Sequence, residues 1–306
     1  YSWVTGMIGE LIQEGTKDDA WAFSEDYFES AKDILFLILN NPKPKEPEGM
    51  RDAVNYALNS AHGKVITALV YLALRIARME AKKGVKKEIK WSADIKKKYE
   101  KVLEDGIIEA YTLLGQYMAN LSYLDKKWVE EKIESISYSQ NMDLWESFMV
   151  GYLWAGKVYG DLYKLMRKHF LTAIDHEFEN KQIEMRLVQY ICIGYLRGSE
   201  DFDKSSLFGK LLHKWKTSQI EKIIKFFWSH ERLMSSTSSP ENKKVIERII
   251  KFWRWVYKKH YENKASKDIK EGDKAILSNL YLQYILLTSI ASENFEWLKL
   301  SARYVE

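Results

Sequence analysis

One cysteine, four prolines and 15 glycines are spread over 306 residues, and each scarcity removes a class of protein. So few turn-formers cannot punctuate an all-β chain, which needs a turn every ten residues or so. No stretch sustains the apolar/polar alternation of a half-buried strand. Cys192, inside "YICIGYL", has no partner for an internal disulfide and reads as a buried, inert thiol, so nothing points to an oxidising compartment. A cytoplasmic location is the expectation. Long hydrophobic runs are also missing. The longest nearly apolar one, "VITALVYLALRIA", has 13 residues, short of the roughly 20 that cross a bilayer. No secretion signal opens the chain. It begins on Tyr1 and stops at "SARYVE" in mid-pattern, as a piece of a longer protein would.

The chain is 46% hydrophobic, ample for a sizeable core. The expected fold is all-α: an irregular α-solenoid of stacked antiparallel helical hairpins with no significant sheet, spanning 1–306, with a subdivision near 82–95. Helix signals recur every 15 to 25 residues. "TSQIEKIIKFFW" sets Ser218 and Glu221 in capping-box spacing ahead of Ile220, Ile223, Ile224, Phe227 and Trp228. "SSPENKKVIERIIKFWRWVYKK" offers Ser239 as N-cap and Pro240 at the first helical position. Its core stripe is Val245, Ile246, Ile249, Ile250, Trp253, Val256 and Tyr257. In "LDKKWVEEKIESI" Asp125 caps a helix carrying Trp128, Val129 and Ile133. The break "NPKPKEPEG" reads as a surface loop.

Chemical motifs are thin. In "NSAHGKV" the Gly63-Lys64 pair suggests a phosphate loop, but Leu58 stands where its first glycine belongs, Val65 where Ser or Thr belongs, and the preceding residues are helical. Asn59 or Ser60 instead caps the next helix, Gly63 admits a neighbouring backbone, and Val65, Ile66, Leu69, Leu72, Ala73 and Ile76 form the buried face. His169 and His176 are seven apart near Asp175, Glu177 and Glu179, without the i, i+4 spacing of a zinc-binding helix. No catalytic, cofactor-binding or metal-binding set emerges, and no enzyme activity is expected of this chain.

Two surface features remain. Residues 82–101 carry nine lysines against Glu88, Asp94 and Glu100, either a solvated linker entering a charged helix or a surface for a polyanion. With only ten arginines among 47 basic residues, nucleic acid is the less favoured partner. Eleven Trp and 19 Tyr exceed what helix packing needs and suit an interface with a protein. Taking Ile246 as zero at 100° per residue, Trp255 falls opposite the core stripe beside Arg248, Lys251, Lys258 and Lys259. Those five form the candidate partner-binding surface. The alternatives are a nucleic-acid-binding helical array, which would add the basic 243–274 region, and a passive helical scaffold.

"DAVNYALNSAHGKVITALVYLALRIAR", "LLGQYMANLSYLDKKWVEEKI", "LWESFMVGYLWAGKVYGDLYKLMRKHFLTAI" and "VIERIIKFWRWVYKK" resemble helices in the C-terminal regions of bacterial antiphage proteins, the Avs-type STAND NTPases and SIR2-linked defence proteins. Ala61 and His62 depart from a more basic or bulkier pair. The resemblance spans most of residues 50–305. It implies a sensor that recognises a phage structural or packaging protein, with an NTPase, nuclease or deacylase effector elsewhere in an oligomerising full-length protein.

Overall fold

A computed structural model of the chain describes residues 2–41, 53–214, 216–229, 239–263 and 271–280, with isolated positions 295, 299 and 302. Among the described residues every regular element is helical and there is no strand. The helices are α1 (Ser2–Lys17), α2 (Phe28–Leu39), α3 (Ala53–Asn59), α4 (Ala61–Lys82), α5 (Ala93–Glu104), α6 (Ile108–Gln116), α7 (Met118–Leu124) and α8 (Lys126–Ser135). They continue as α9 (Met142–Trp154), α10 (Gly160–Leu165), α11 (Arg167–Ala173), α12 (Lys181–Leu196), α13 (Leu207–His213), α14 (Thr217–Ser229), α15 (Pro240–Asn263) and α16 (Glu271–Leu280). None is long and apolar enough to cross a membrane. The "NPKPKEPEG" segment lies outside the described residues from Pro42 on, as do parts of the basic 243–274 region. The chain forms two compact units, Tyr1–His169 with Phe178–Ile183, and Phe170–Glu177 with Glu184–Glu306. Residues 82–95 lie inside the first.

The first unit is organised around α4. Only one face of this helix is expected to be buried, yet Thr67, Ala68, Val70, Leu74 and Arg75 are buried beside Val65, Ile66, Leu69, Leu72 and Ala73, while Ile76 is half-exposed. The reason is the 13-residue apolar run itself: it leaves no polar face for water, so α1, α2, α3, α6 and α7 all pack around it. α1 meets it through its smallest residues. A Cβ on Gly9 would stand 3.0 Å from the Lys64 carbonyl carbon and the Val65 nitrogen, so a side chain there would push the helices apart. The crossing of α6 and α9 is tighter still. A methyl on Gly115 would overlap the Phe148 carbonyl oxygen, and one on Gly151 would overlap the Thr112 carbonyl oxygen. Each helix thus presents a glycine to the other's backbone.

Local signals place the helix starts. The Ser60 hydroxyl accepts from the Gly63 N–H at 2.9 Å, Asp125 Oδ1 from the Trp128 N–H at 3.0 Å, and the Ser239 hydroxyl from the Asn242 N–H at 3.2 Å. The Ser218–Glu221 capping box does not form. α14 already includes Thr217 and Ser218, and the Lys216 carbonyl accepts the Ile220 N–H, so Ser218 sits within the first turn instead of ahead of it.

In the second unit Phe252 packs edge to face on Phe208 and Phe227, which are tilted against each other, with centroids 5.3–6.4 Å apart. Phe252 is fully buried although the predicted stripe of α15 omits it, and Ile246 and Ile250 are half-exposed. The buried face of α15 is therefore turned toward Phe252. In α14 Phe226 is buried and Trp228 is exposed, again a rotation of the expected face.

The glycine crossing yields a direct test. Gly151→Ala should destabilise the protein by about 2 kcal/mol or more, because the added methyl meets a backbone carbonyl that cannot rotate away. Gly160→Ala, where a Cβ meets nothing within 4 Å, should leave the melting temperature unchanged or raised; thermal melts of both variants check the contrast.

Candidate functional site

The Gly63-Lys64 corner is a structural joint. Its Gly63 amide is held by Ser60, the Ser60 hydroxyl donates onward to Glu109 Oε1 at 3.1 Å, and a Cβ on Gly63 would overlap the Ala57 carbonyl oxygen. Lys64 pairs with Glu10 of α1 at 2.7 Å. The lysine that would hold a phosphate instead ties α4 to α1. His62, in the same corner, is buried.

Five of the nine lysines of the lysine-rich segment meet a carboxylate elsewhere in the chain. Lys82, Lys83, Lys87, Lys96 and Lys101 pair with Asp19, Glu25, Glu80, Asp125 and Asp105. Lys90 lies 3.8 Å from the centre of the Tyr123 ring, and Lys98 donates to the Asn40 side chain at 2.5 Å. Lys86 and Lys97 are exposed and have no ion pair among the described residues. The segment is pinned by Trp91, buried edge-on against Trp128 with centroids 5.1 Å apart, while Trp128 Nε1 donates to Glu100 at 2.7 Å. Burial drives the Asp125 carboxyl upward, but the Lys96 ammonium and the Trp128 N–H outweigh it and hold the group below its ordinary value.

Asp19 is the strongest charge knot. It receives Arg75, Arg78 and Lys82, and the Lys82 hydrogen bond first, against partial desolvation, brings its pKa to about 2. This fastens the loop after α1 to the outer half of α4.

His169 and His176 do not form a metal centre. His169 is buried, accepting from Trp145 Nε1 at its Nδ1 (3.1 Å) and donating from its Nε2 to the Ile133 carbonyl (3.0 Å). Both nitrogens are spent inside the core, which fixes the neutral Nε2–H form. Asp175 pairs with Lys214. No group of three or more metal-ligating side chains occurs among the described residues. Cys192 is fully buried and its thiol is pushed well upward by that burial.

Trp255 is half-buried. The rotation of α15 moves it onto the flank of the buried face, about 120° from its centre, instead of the back. There it stacks on Phe202 at 6.0 Å and meets His213 edge-on at 5.8 Å. Arg248 is drawn inward too. Its guanidinium lies 4.3 Å from the centre of the Tyr195 ring and donates to the Glu200 carbonyl, while Tyr195 Oη donates to the Arg248 carbonyl at 2.5 Å. Glu200, itself buried, accepts the Leu207 N–H at 2.6 Å at the start of α13. Arg248 therefore acts as a strut of the second unit. Lys251 and Lys258 remain at the surface and Lys259 is half-exposed.

Among the described residues the largest group of exposed apolar side chains lies elsewhere, on α1, α2 and the segment that joins them. Ile12, Gly6 and Gly9 face α4, while Trp3, Met7 and Leu11, each four residues apart, stand on the opposite side of the same helix. Trp3 is 68%, Leu11 74%, Leu37 67% and Trp21 87% exposed, with Met7, Tyr27 and Ile34 also exposed. Where the end of α1 meets the start of α2, Leu11, Trp21, Phe23, Tyr27, Ala31 and Ile34 line an open groove of about 700 Å³. The seven exposed side chains present on the order of 900 Å², taking 150–250 Å² for a whole aromatic, against about 800 Å² per partner in a standard interface. The i, i+4, i+8 spacing of Trp3, Met7 and Leu11 is a sequence signal for this face. Periodicity alone assigns it to the core, because an apolar stripe is normally buried.

Two measurements check these assignments. Arg248→Ala and Trp255→Ala should both lower the melting temperature of the second unit, Arg248→Ala by more, since it leaves the Glu200 carbonyl and the Tyr195 face without their cation; thermal melts followed by tryptophan fluorescence report it. Burial holds His169 below its ordinary value of 6.5, so the unfolded chain takes up the proton first as pH falls. Stability should be flat above about pH 6.5 and decline below it. His169→Gln should flatten that decline in melts between pH 7.5 and 5.5.

No family model, curated protein or solved structure matches the chain.

Proposed function

We propose that this chain is a non-catalytic protein-recognition module, built as an irregular array of antiparallel helical hairpins, which uses the α1–α2 face to hold a protein partner. The observation that carries the reading is the apolar groove lined by Leu11, Trp21, Tyr27 and Ile34, with Trp3 and Leu37 also exposed on the same two helices, since apolar patches beyond a few hundred Å² mark interaction sites. Pairings of consecutive helices, α3 with α4 and α7 with α8, are those such an array would make. The resemblance to antiphage sensors fits this role, with a phage structural or packaging protein as partner and a cytoplasmic setting. The residues that carry the resemblance, Ser60, Gly63, Gly115, Asp125 and Trp128, are caps and packing contacts, so they speak for shared architecture. Nucleic acid is the weaker alternative, because most cations of residues 82–101 are already spent on side chains of the chain itself.

A photo-crosslinking amino acid placed at position 11 or 21, in the cells that make the protein, should give a discrete protein adduct, whereas one at position 127, on the exposed face of α8, should not. Equal labelling at all three, or none at positions 11 and 21, overturns the assignment of recognition to this face.

A further inference from the structure

The α1–α2 face has a definite charge as well as an apolar surface, and the two together specify a partner. α1 is covered on one side by α4 and is apolar again on the other, which is the pattern of a helix packed between two neighbours. Trp3, Met7 and Leu11 form a ridge along the i±4 row, the surface that interdigitates with a second helix. Around the groove the charge left without an ionic partner among the described residues is negative, since the lining Lys17 is paired with Glu14. Asp18 lines it and uses its carboxylate only on the Ala20 and Trp21 amides, Asp26 accepts only from Ser24, and Asp33 stands one residue from Ile34. None of these three has an ion pair among the described residues. The nearby cations are already spoken for: Lys17 pairs with Glu14, and Lys32 with Glu29 and Asp94.

We infer that the α1–α2 face receives a basic amphipathic helix, with large apolar residues at i, i+3, i+4 and i+7 in the groove and lysines or arginines over Asp18, Asp26 and Asp33. This rests on the recognition reading above and names the chemistry of its partner. A second copy of the chain is a poorer occupant, because a two-fold pairing of this face would set the same three carboxylates against one another. An anionic lipid surface meets the same repulsion.

The test uses the whole chain and two labelled 18-residue helical peptides, one of leucine and lysine, the other of leucine and glutamate in the same pattern. Because the chain carries a net charge of +4, general electrostatic repulsion opposes the lysine peptide, and a preference for it reports the local rim. In fluorescence anisotropy the lysine peptide should bind at least tenfold more tightly than the glutamate peptide. Leu11→Glu should abolish binding, and Asp18→Lys with Asp33→Lys should weaken it at least fivefold; circular dichroism verifies that these surface variants fold. Equal binding of both peptides overturns the basic partner while leaving the groove as a recognition site. Binding of neither peptide overturns the inference outright. So does a concentration-dependent dimer that Leu11→Glu dissociates, which assigns the face to a second copy. Co-sedimentation with phosphatidylglycerol vesicles in place of peptide binding assigns it to lipid and overturns the inference as well. The crosslinking result at positions 11 and 21 separates loss of this inference from loss of the recognition reading.

Discussion

Close approach of helix backbones at glycine is the constraint on which the first unit depends. α4 carries apolar side chains on every side, so it is satisfied only when several helices surround it, and small residues let those helices come near enough. Gly9 brings α1 onto the Lys64–Val65 peptide, Gly63 accommodates the Ala57 carbonyl, and the Gly115–Gly151 pair locks α6 to α9. Interiors are packed to crystal-like density, so a methyl at such a crossing displaces a whole helix and every contact it makes.

Polar groups in this unit mostly complete that packing. Asp19 collects three cations of α4, Asp125 caps α8 while binding Lys96, and Glu109 receives the Ser60 hydroxyl. Each joins segments distant in the chain, and each consumes charge that the sequence displays as a surface property. The lysines of residues 82–101 illustrate the result: five of the nine meet a carboxylate, Asp19, Glu25, Glu80, Asp105 or Asp125, so the stretch is less basic at the surface than its sequence reads. In the second unit Arg248 meets the same fate, taken up by the Tyr195 ring and the Glu200 carbonyl.

What remains unsatisfied stands out against this economy. The outer face of α1 and α2 keeps its tryptophans and leucines in water and its aspartates without cations. Burying those aromatics is worth on the order of 25 cal/mol per Å² of apolar area, a gain available only when another surface arrives. The proposed recognition role therefore fits this face better than Trp255, whose ring is already stacked on Phe202.

Helix content, the caps at Ser60, Asp125 and Ser239, the close approach at Gly63 and the burial of Cys192 are legible in the sequence, because each depends on residues within about one turn of one another or on a uniformly apolar neighbourhood. The azimuth of each helix is a different matter. Whether Ile246 or Phe252 faces the core of α15, whether α4 is covered on one side or all round, and whether Trp3, Met7 and Leu11 are core or surface depend on partners in other helices. A stripe of apolar residues records that a face prefers to leave water. Only the tertiary structure decided which stripes had a neighbour to bury them, because the number of helices that fit around α4 is limited by packing volume, and the outer face of α1 lies beyond it.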